Sequence, residues 1–377
     1  MMADELYDRL ADIFNMIGFG SSKSPELEAL LKSLFNEEEA RLAVNLSPMA
    51  PEPPQKVAER IGDDPEKVAE LLDRMANKGL IYSSKRDGDN WYKIIQLVPG
   101  IFELQFMKGE WTDRAKELAR LFDAYFHARA PEAMQTASDS ANTVNFARVL
   151  PIEQTLTPET NIHPFEEVSR YIEEARTITV STCYCRHEQR LLGKGCQYPD
   201  DVCLQLGPFA EFMKERGFGR EITKEEALDV LKRSVEAGLI HTSSNTLDRI
   251  DYICNCCTCC CGPLKMLRTL NAPVRSISSN YEAAVDADTC IGCGECVDRC
   301  QMDAVTLNDE IAVIDLDRCI GCGVCVYHCP VDSLSLVPRS DFVEPPKSFK
   351  ELIALQAAAK MEGEAGKREL ISIPGES

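Results

Sequence analysis

At 377 residues the chain is long enough for two or three domains with packed cores. Its 61 acidic residues against 41 basic ones leave a net charge of −20, which repels polyanions and argues against nucleic acid or an anionic membrane surface as a partner of the whole chain. No apolar run approaches the roughly eighteen residues a membrane helix needs. The opening "MMADELYDRL" also lacks the basic and apolar regions of a signal peptide, so a cytoplasmic location without membrane insertion is expected.

Residues 1–50 read as helical: "SPELEALLKSLF" opens on a Ser/Pro start signal and carries apolar residues at helical spacing. From Pro53 to Leu97 the order is helix, Asp/Pro turn, second helix ending at Gly79, then two strand-like runs around Arg86-Asp87-Gly88-Asp89. That order resembles a winged helix-turn-helix, whose second helix reads DNA in many cases. Reading DNA needs a basic face, yet Lys56 to Glu103 hold eight Lys/Arg against nine Asp/Glu. A protein-contact or structural module is therefore expected here, not a DNA reader.

Residues 108–180 hold amphipathic helices and a Ser/Thr/Asn-rich connection, "QTASDSANTVN". The alternation in "ARTITVSTCYC" predicts a strand that delivers Cys183 and Cys185. "TKEEALDVLKRSVEAGLIH" predicts a helix ending near Gly238, and "FKELIALQAAAKMEGEAGK" a tail helix. The expected class is α+β, with boundaries at 1–107 (helical and winged-helix-like), 108–282 (mixed helical, cysteine-rich), 283–338 and 339–377 (tail helix).

Eighteen cysteines, none before Cys183 and none after Cys329, point to metal or redox chemistry, because thiols in a reducing compartment stay reduced. Eight of them form an internal repeat. "DTCIGCGECVDRCQMDAVTL" from Asp288 recurs as "DRCIGCGVCVYHCPVDSLSL" from Asp317, and each copy carries Cys-x2-Cys-x2-Cys-x3-Cys. The close spacing lets a tight loop wrap three corners of a cubane. Gly292, Gly294, Gly321 and Gly323 let the backbone approach the sulfides, and the fourth cysteine is expected to start a short helix. Zinc needs only four cysteines per site and gives no reason for a crossed repeat.

This stretch, about 283–338, resembles the two-cluster 4Fe-4S ferredoxin family. The resemblance implies one cluster on Cys290, Cys293, Cys296 and Cys329, and another on Cys319, Cys322, Cys325 and Cys300. Gln301 stands where that family usually has proline, which Pro330 keeps; the change is expected to loosen the turn and alter polarity near a cluster.

Upstream, "CYCRHEQRLLGKGCQYPDDVCLQLG" supplies Cys183, Cys185, Cys196 and Cys203, enough for one four-ligand site. His187 is expected in a hydrogen bond or at the surface more than as a ligand. "CNCCTCCC" adds Cys254, Cys256, Cys257, Cys259, Cys260 and Cys261. As a helix it would group Cys254, Cys257 and Cys261 on one face and Cys256, Cys259 and Cys260 on another; an irregular loop would distribute them differently. The preferred reading is one or two further 4Fe-4S clusters built jointly by the two blocks. Zinc on the first block and a dithiol redox centre are the alternatives.

The whole cysteine arrangement is similar to a group of multi-cluster iron–sulfur proteins of anaerobes described as 4Fe-4S dicluster proteins. The match runs over Cys183 to His187, Cys254 to Cys261 and Cys290 to Cys329, within about residues 160–338. The resemblance implies iron–sulfur redox chemistry without a defined substrate. No Gly-rich dinucleotide fingerprint, P-loop or catalytic triad is visible, and no catalytic residue is assigned. The expected role is an electron-transfer protein or subunit of an oxidoreductase system, relaying low-potential electrons between a donor and a partner oxidoreductase. An iron–sulfur redox sensor with a winged-helix output, or an oxidoreductase with an unusual cluster as its active site, are the alternatives.

Overall fold

A computed structural model describes residues 3–17, 23–139, 146–156, 164–270, 277–356 and 358. The chain opens with helices α1 (Ala3–Met16), α2 (Pro25–Leu34), α3 (Glu37–Ala43), α4 (Pro54–Ile61) and α5 (Pro65–Asn77). The start signals act as expected: Ser24 Oγ accepts the Leu27 N–H at 3.1 Å ahead of α2, and Asp64 caps α5 by accepting from Glu66 and Lys67. A hairpin of β1 (Ile81–Arg86) and β2 (Asp89–Ile94) follows, closed at Asp87-Gly88 with Ile81 opposite Ile94. Glu52 forms an isolated bridge to Tyr92 of that hairpin.

Helices α6 (Phe102–Phe106) and α7 (Asp113–Asp139) come next, so the first part of the expected "QTASDSANTVN" connection, up to Asp139, is helix and the rest lies outside the described residues. Then come β3 (Ala147–Val149), α8 (Val168–Glu174), β4 (Ile178–Ser181), α9 (Tyr184–Leu191), β5 (Cys203–Leu206), α10 (Gly207–Glu215) and β6 (Arg220–Glu221). Helix α11 (Lys224–Glu236) begins at a capping box of Thr223 and Glu226. It is followed by β7 (Ile240–Ser244), β8 (Tyr252–Cys256), α12 (Gly262–Leu270), β9 (Tyr281–Val285), α13 (Glu295–Arg299), β10 (Val305–Asn308), β11 (Ile311–Ile314), α14 (Val324–Tyr327) and β12 (Leu334–Pro338). The tail is helical over 349–356, and the remainder of the expected tail helix falls almost wholly outside the described residues. This is a mixed architecture of helices and small sheets, compatible with α+β. Among the described residues no helix is long and apolar enough to cross a membrane.

Two compact units emerge, Met1–Glu132 with Thr177–Ile222, and Ala133–Arg176 with Thr223–Ser377. The first packs Leu10, Phe14, Leu30, Phe35, Leu72, Phe106 and Phe122 into one apolar core. In it β4 pairs antiparallel with both β5 and β6. In the second unit β7 lies between β3 and β8, all antiparallel, while β10 pairs with β11 and β9 with β12. The segment entering this unit is tied to the repeat: the Ile152 N–H donates to Cys322 O at 3.0 Å. Ser279 Oγ donates to Gly321 O at 2.7 Å, and His328 Nε2 lies 3.0 Å from Val235 O of α11.

Candidate metal centres

In the first unit, β4 runs into Cys183, which precedes α9, and Cys185 lies in the helix's first turn, as the alternation predicted. Cys203 opens β5 directly opposite Ser181. The buried Gln205 side chain fixes that pairing by donating to Ser181 Oγ at 2.9 Å and to Cys203 O at 3.1 Å. Arg190 draws the intervening loop back along α9 through Cys196 O, at 3.1 Å from its Nη2, and Tyr198 O at 2.8 Å. It also forms an ion pair with Asp200.

His187 is buried, with Nε2 2.9 Å from Glu110 O and its ring edge-on to Trp111. The expected hydrogen bond is present; the surface position is not. Sequence reasoning gave Arg186 no role, yet it is 0% exposed beside Cys185. A guanidinium cannot shed its proton, so α9 carries a permanent positive charge where thiolate charge would gather. Its direct adjacency to Cys185 was the available signal.

The "CNCCTCCC" strip lies in the second unit and is not helical. Cys254 and Cys256 belong to β8, residues 257–260 turn, and Cys261 leads into α12. Cys254 and Cys256 therefore share a strand face, and Cys256 exchanges thiol hydrogen bonds with Cys254 and Cys261. The bond to Cys254 pulls the Cys256 thiol down, but the one to Cys261 together with burial outweighs it and raises the thiol well above its usual range. The Sγ atoms of Cys257, Cys259 and Cys260 all lie within 4.8 Å of one another. The strip thus sorts into the trios 254/256/261 and 257/259/260, and the helical grouping is corrected, because a strand alternates faces and the turn gathers its own thiols.

The partner strand anchors the strip. Thr242 Oγ1 lies 3.3 Å from Cys256 Sγ. His241 Nδ1 lies 2.5 Å from Asn255 Oδ1, and this buried pair joins opposed residues of β7 and β8. Burial pushes the His241 imidazole down from its ordinary 6.5 to about 4, against the opposing Asn255 hydrogen bond. A histidine depressed on folding contributes stability that is present above pH 6.5 and lost as pH falls toward 4, about 3 kcal/mol at most. Unfolding midpoints of the full chain are accordingly expected to fall across that window, and His241→Leu to flatten the fall. Parallel pH curves for the two proteins would refute this.

The repeat builds two cavities. One is lined by Cys290, Cys293, Cys296 and Cys329, the other by Cys300, Cys319, Cys322 and Cys325. The third cysteine of each copy sits inside a short helix, Cys296 in α13 and Cys325 in α14. The fourth cysteines, Cys300 and Cys329, follow those helices and do not start them, because the chain must leave each helix to cross to the other cavity.

Gly292 and Gly321 both have φ of +64°. A Cβ on Gly292 would run into Glu310 O, and one on Gly321 into Tyr281 O, so neighbouring backbone demands glycine there whatever fills the cavity. Four soft thiol donors around each glycine-walled cavity is a donor set that fits an iron–sulfur cluster.

The two cavities differ electrostatically. In the first cavity burial raises the Cys296 thiol, but backbone N–H groups of Ala312 and Gly292 lower that of Cys290. At Cys329 burial pushes upward, but hydrogen bonds from the Ser333 hydroxyl and nearby backbone N–H groups prevail and lower it. In the second cavity burial pushes Cys322 up to about 12 and raises Cys300 and Cys325 as well. Ile291 is 63% exposed beside the first cavity, whereas Ile320 is 2% exposed beside the second. No curated protein matches the chain. Residues 283–336 match the family model described as a 4Fe-4S dicluster domain, and this part of the chain is a ferredoxin-like 4Fe-4S domain.

Proposed function

We propose that the chain is an iron–sulfur electron-transfer protein or subunit, relaying low-potential electrons between a donor and a partner oxidoreductase. The observation that carries this is the pair of cavities, each lined by three cysteines of one copy of the repeat and the fourth of the other. In this reading Cys290, Cys293, Cys296 and Cys329 hold one 4Fe-4S cluster, and Cys300, Cys319, Cys322 and Cys325 the other. When bound, such clusters supply reversible one-electron storage; the protein's levers are burial, N–H···S bonds and nearby charge. The exposed apolar side chains of Ile291, Leu307 and Val331 rim the first cavity. They support that cavity as the place where a partner redox protein docks.

The strip and the block of Cys183, Cys185, Cys196 and Cys203 are proposed to bind metal too, as one or two further 4Fe-4S clusters. A second reading has an observation in its favour. A zinc ion with Zn–S of about 2.3 Å spaces its sulfurs about 3.8 Å apart, and Cys259 and Cys260 lie 3.9 Å apart.

The helix–helix–hairpin of the first unit is proposed to be a structural or protein-contact module. Its basic groups are engaged: Arg74 with Glu38, Lys78 with Glu39 and Lys67 with Asp63. Anaerobic potentiometric titration of the full chain, run with and without duplex DNA, tests the proposal. Reversible one-electron signals that no duplex perturbs at moderate salt are expected. Tight, oxidation-dependent binding to one duplex would promote the sensor, and no reversible signal would defeat the relay.

A further inference from the structure

Gln301 stands where a proline ends the corresponding turn of the second copy, Pro330. Its side chain ties the turn to other segments instead. Its Oε1 accepts the Thr258 N–H at 2.9 Å and its Nε2 donates to Gly238 O at 2.5 Å. Thr258 is the one non-cysteine between Cys257 and Cys259, and Gln301 directly follows Cys300. One side chain therefore joins the turn of the strip to the exit of the second cavity, and a proline could make neither bond.

A charge sits on the same junction. Arg268 of α12 binds Asp303 in bidentate fashion, at 2.7 and 2.9 Å, and its Nη1 is 3.4 Å from Thr258 Oγ1. Its guanidinium is held above its usual range first by the hydrogen bond to Asp303 and, more weakly, by the charges of Asp303, Cys259 and Cys300. Asp303 stands three residues after Cys300, and the N–H of the next residue, Ala304, donates to Cys300 Sγ at 3.2 Å.

We propose that Gln301 and Arg268 couple the cysteine strip to the Cys300 side of the ferredoxin repeat, Gln301 as a positioning residue and Arg268 as a positive charge shared by both metal centres. This rests on the proposed function. Reduction adds negative charge to a cluster, so a nearby cation raises its potential and a nearby anion lowers it. Two centres that share one cation respond together to its removal.

The test is an EPR-monitored redox titration of the full, anaerobically reconstituted chain, with iron and sulfide measured alongside. Arg268→Gln is expected to move the midpoints of both the Cys300-set signal and the strip signal to more negative values, with Arg268→Lys restoring both. Asp303→Asn is expected to move both the other way, and it decides the matter if Arg268→Gln loses iron. Full metal content with one signal shifted alone, or with neither shifted, overturns the coupling. Iron and sulfide for the ferredoxin pair only would overturn the iron–sulfur reading of the strip and the coupling with it.

Discussion

Replacing Cys325 with serine is expected to abolish or convert one ferredoxin-type signal and to remove up to about four irons per chain, while the other ferredoxin signal persists. Cys325 is only 9% exposed, in the short helix α14, and it lines the cavity shared with Cys300, Cys319 and Cys322. A serine oxygen there is a harder and shorter donor than thiolate, so the cluster is lost or bound through three sulfurs. The first cavity draws Cys329 from the same copy of the repeat, but Cys329 lies beyond α14 and is held by Ser333, whose Oγ is 3.3 Å from its Sγ. EPR and Mössbauer spectra of the anaerobically reconstituted variant decide the matter. An unchanged spectrum with unchanged iron would remove the crossed ligand assignment, and loss of both signals would mean that the two cavities do not assemble independently.

The surviving signal should also be the less negative of the two. Burial raises Cys322, Cys325 and Cys300 in the second cavity but only Cys296 in the first, where Cys290 and Cys329 are lowered by N–H and O–H donors. The same contrast bears on a bound cluster. Added negative charge is disfavoured in the buried second cavity and better tolerated in the exposed, hydrogen-bonded first. An electron entering at the exposed rim would thus meet the buried cavity as the more reducing site.

The repeat was legible because its chemistry is local: four cysteines within eleven residues, with glycines between them, define a loop before any tertiary contact forms. Helix starts were legible for the same reason, since Ser24 and Thr223 cap within three residues of themselves. The strip was not. Six cysteines in eight positions satisfy a helical period and a strand period alike, so hydrophobic patterning cannot choose between them. What decides it is pairing with β7, in which His241 meets Asn255 and Thr242 meets Cys254. Gln301 shows the limit most clearly. Read locally, a missing proline loosens a turn; its actual partner, Thr258, lies 43 residues away. The burial of Arg186 was hidden too, because a charged residue on an amphipathic helix ordinarily faces water.

The strip carries the second large effect. If the ferredoxin-like domain alone held metal, the chain would carry about eight irons; each further cubane adds about four. Changing Cys257, Cys259 and Cys260 together to serine is expected to lower iron and sulfide by about four each, because the turn gathers these three thiols where they could share a metal centre. The ferredoxin signals should survive, since none of the three lines either of its cavities. The same substitution in Cys254, Cys256 and Cys261 asks whether the β8 trio holds a centre of its own or supports the first. Metal analysis of the intact chain separates the readings. Loss of one zinc with iron unchanged would make the turn a mononuclear site, in keeping with the 3.9 Å between Cys259 and Cys260. No metal lost at all would leave a cluster of reduced thiols, open to oxidation at the exposed Cys259. Matched loss of iron and sulfide is the expected result, because vicinal thiols that bind nothing would be oxidised where a cluster would protect them.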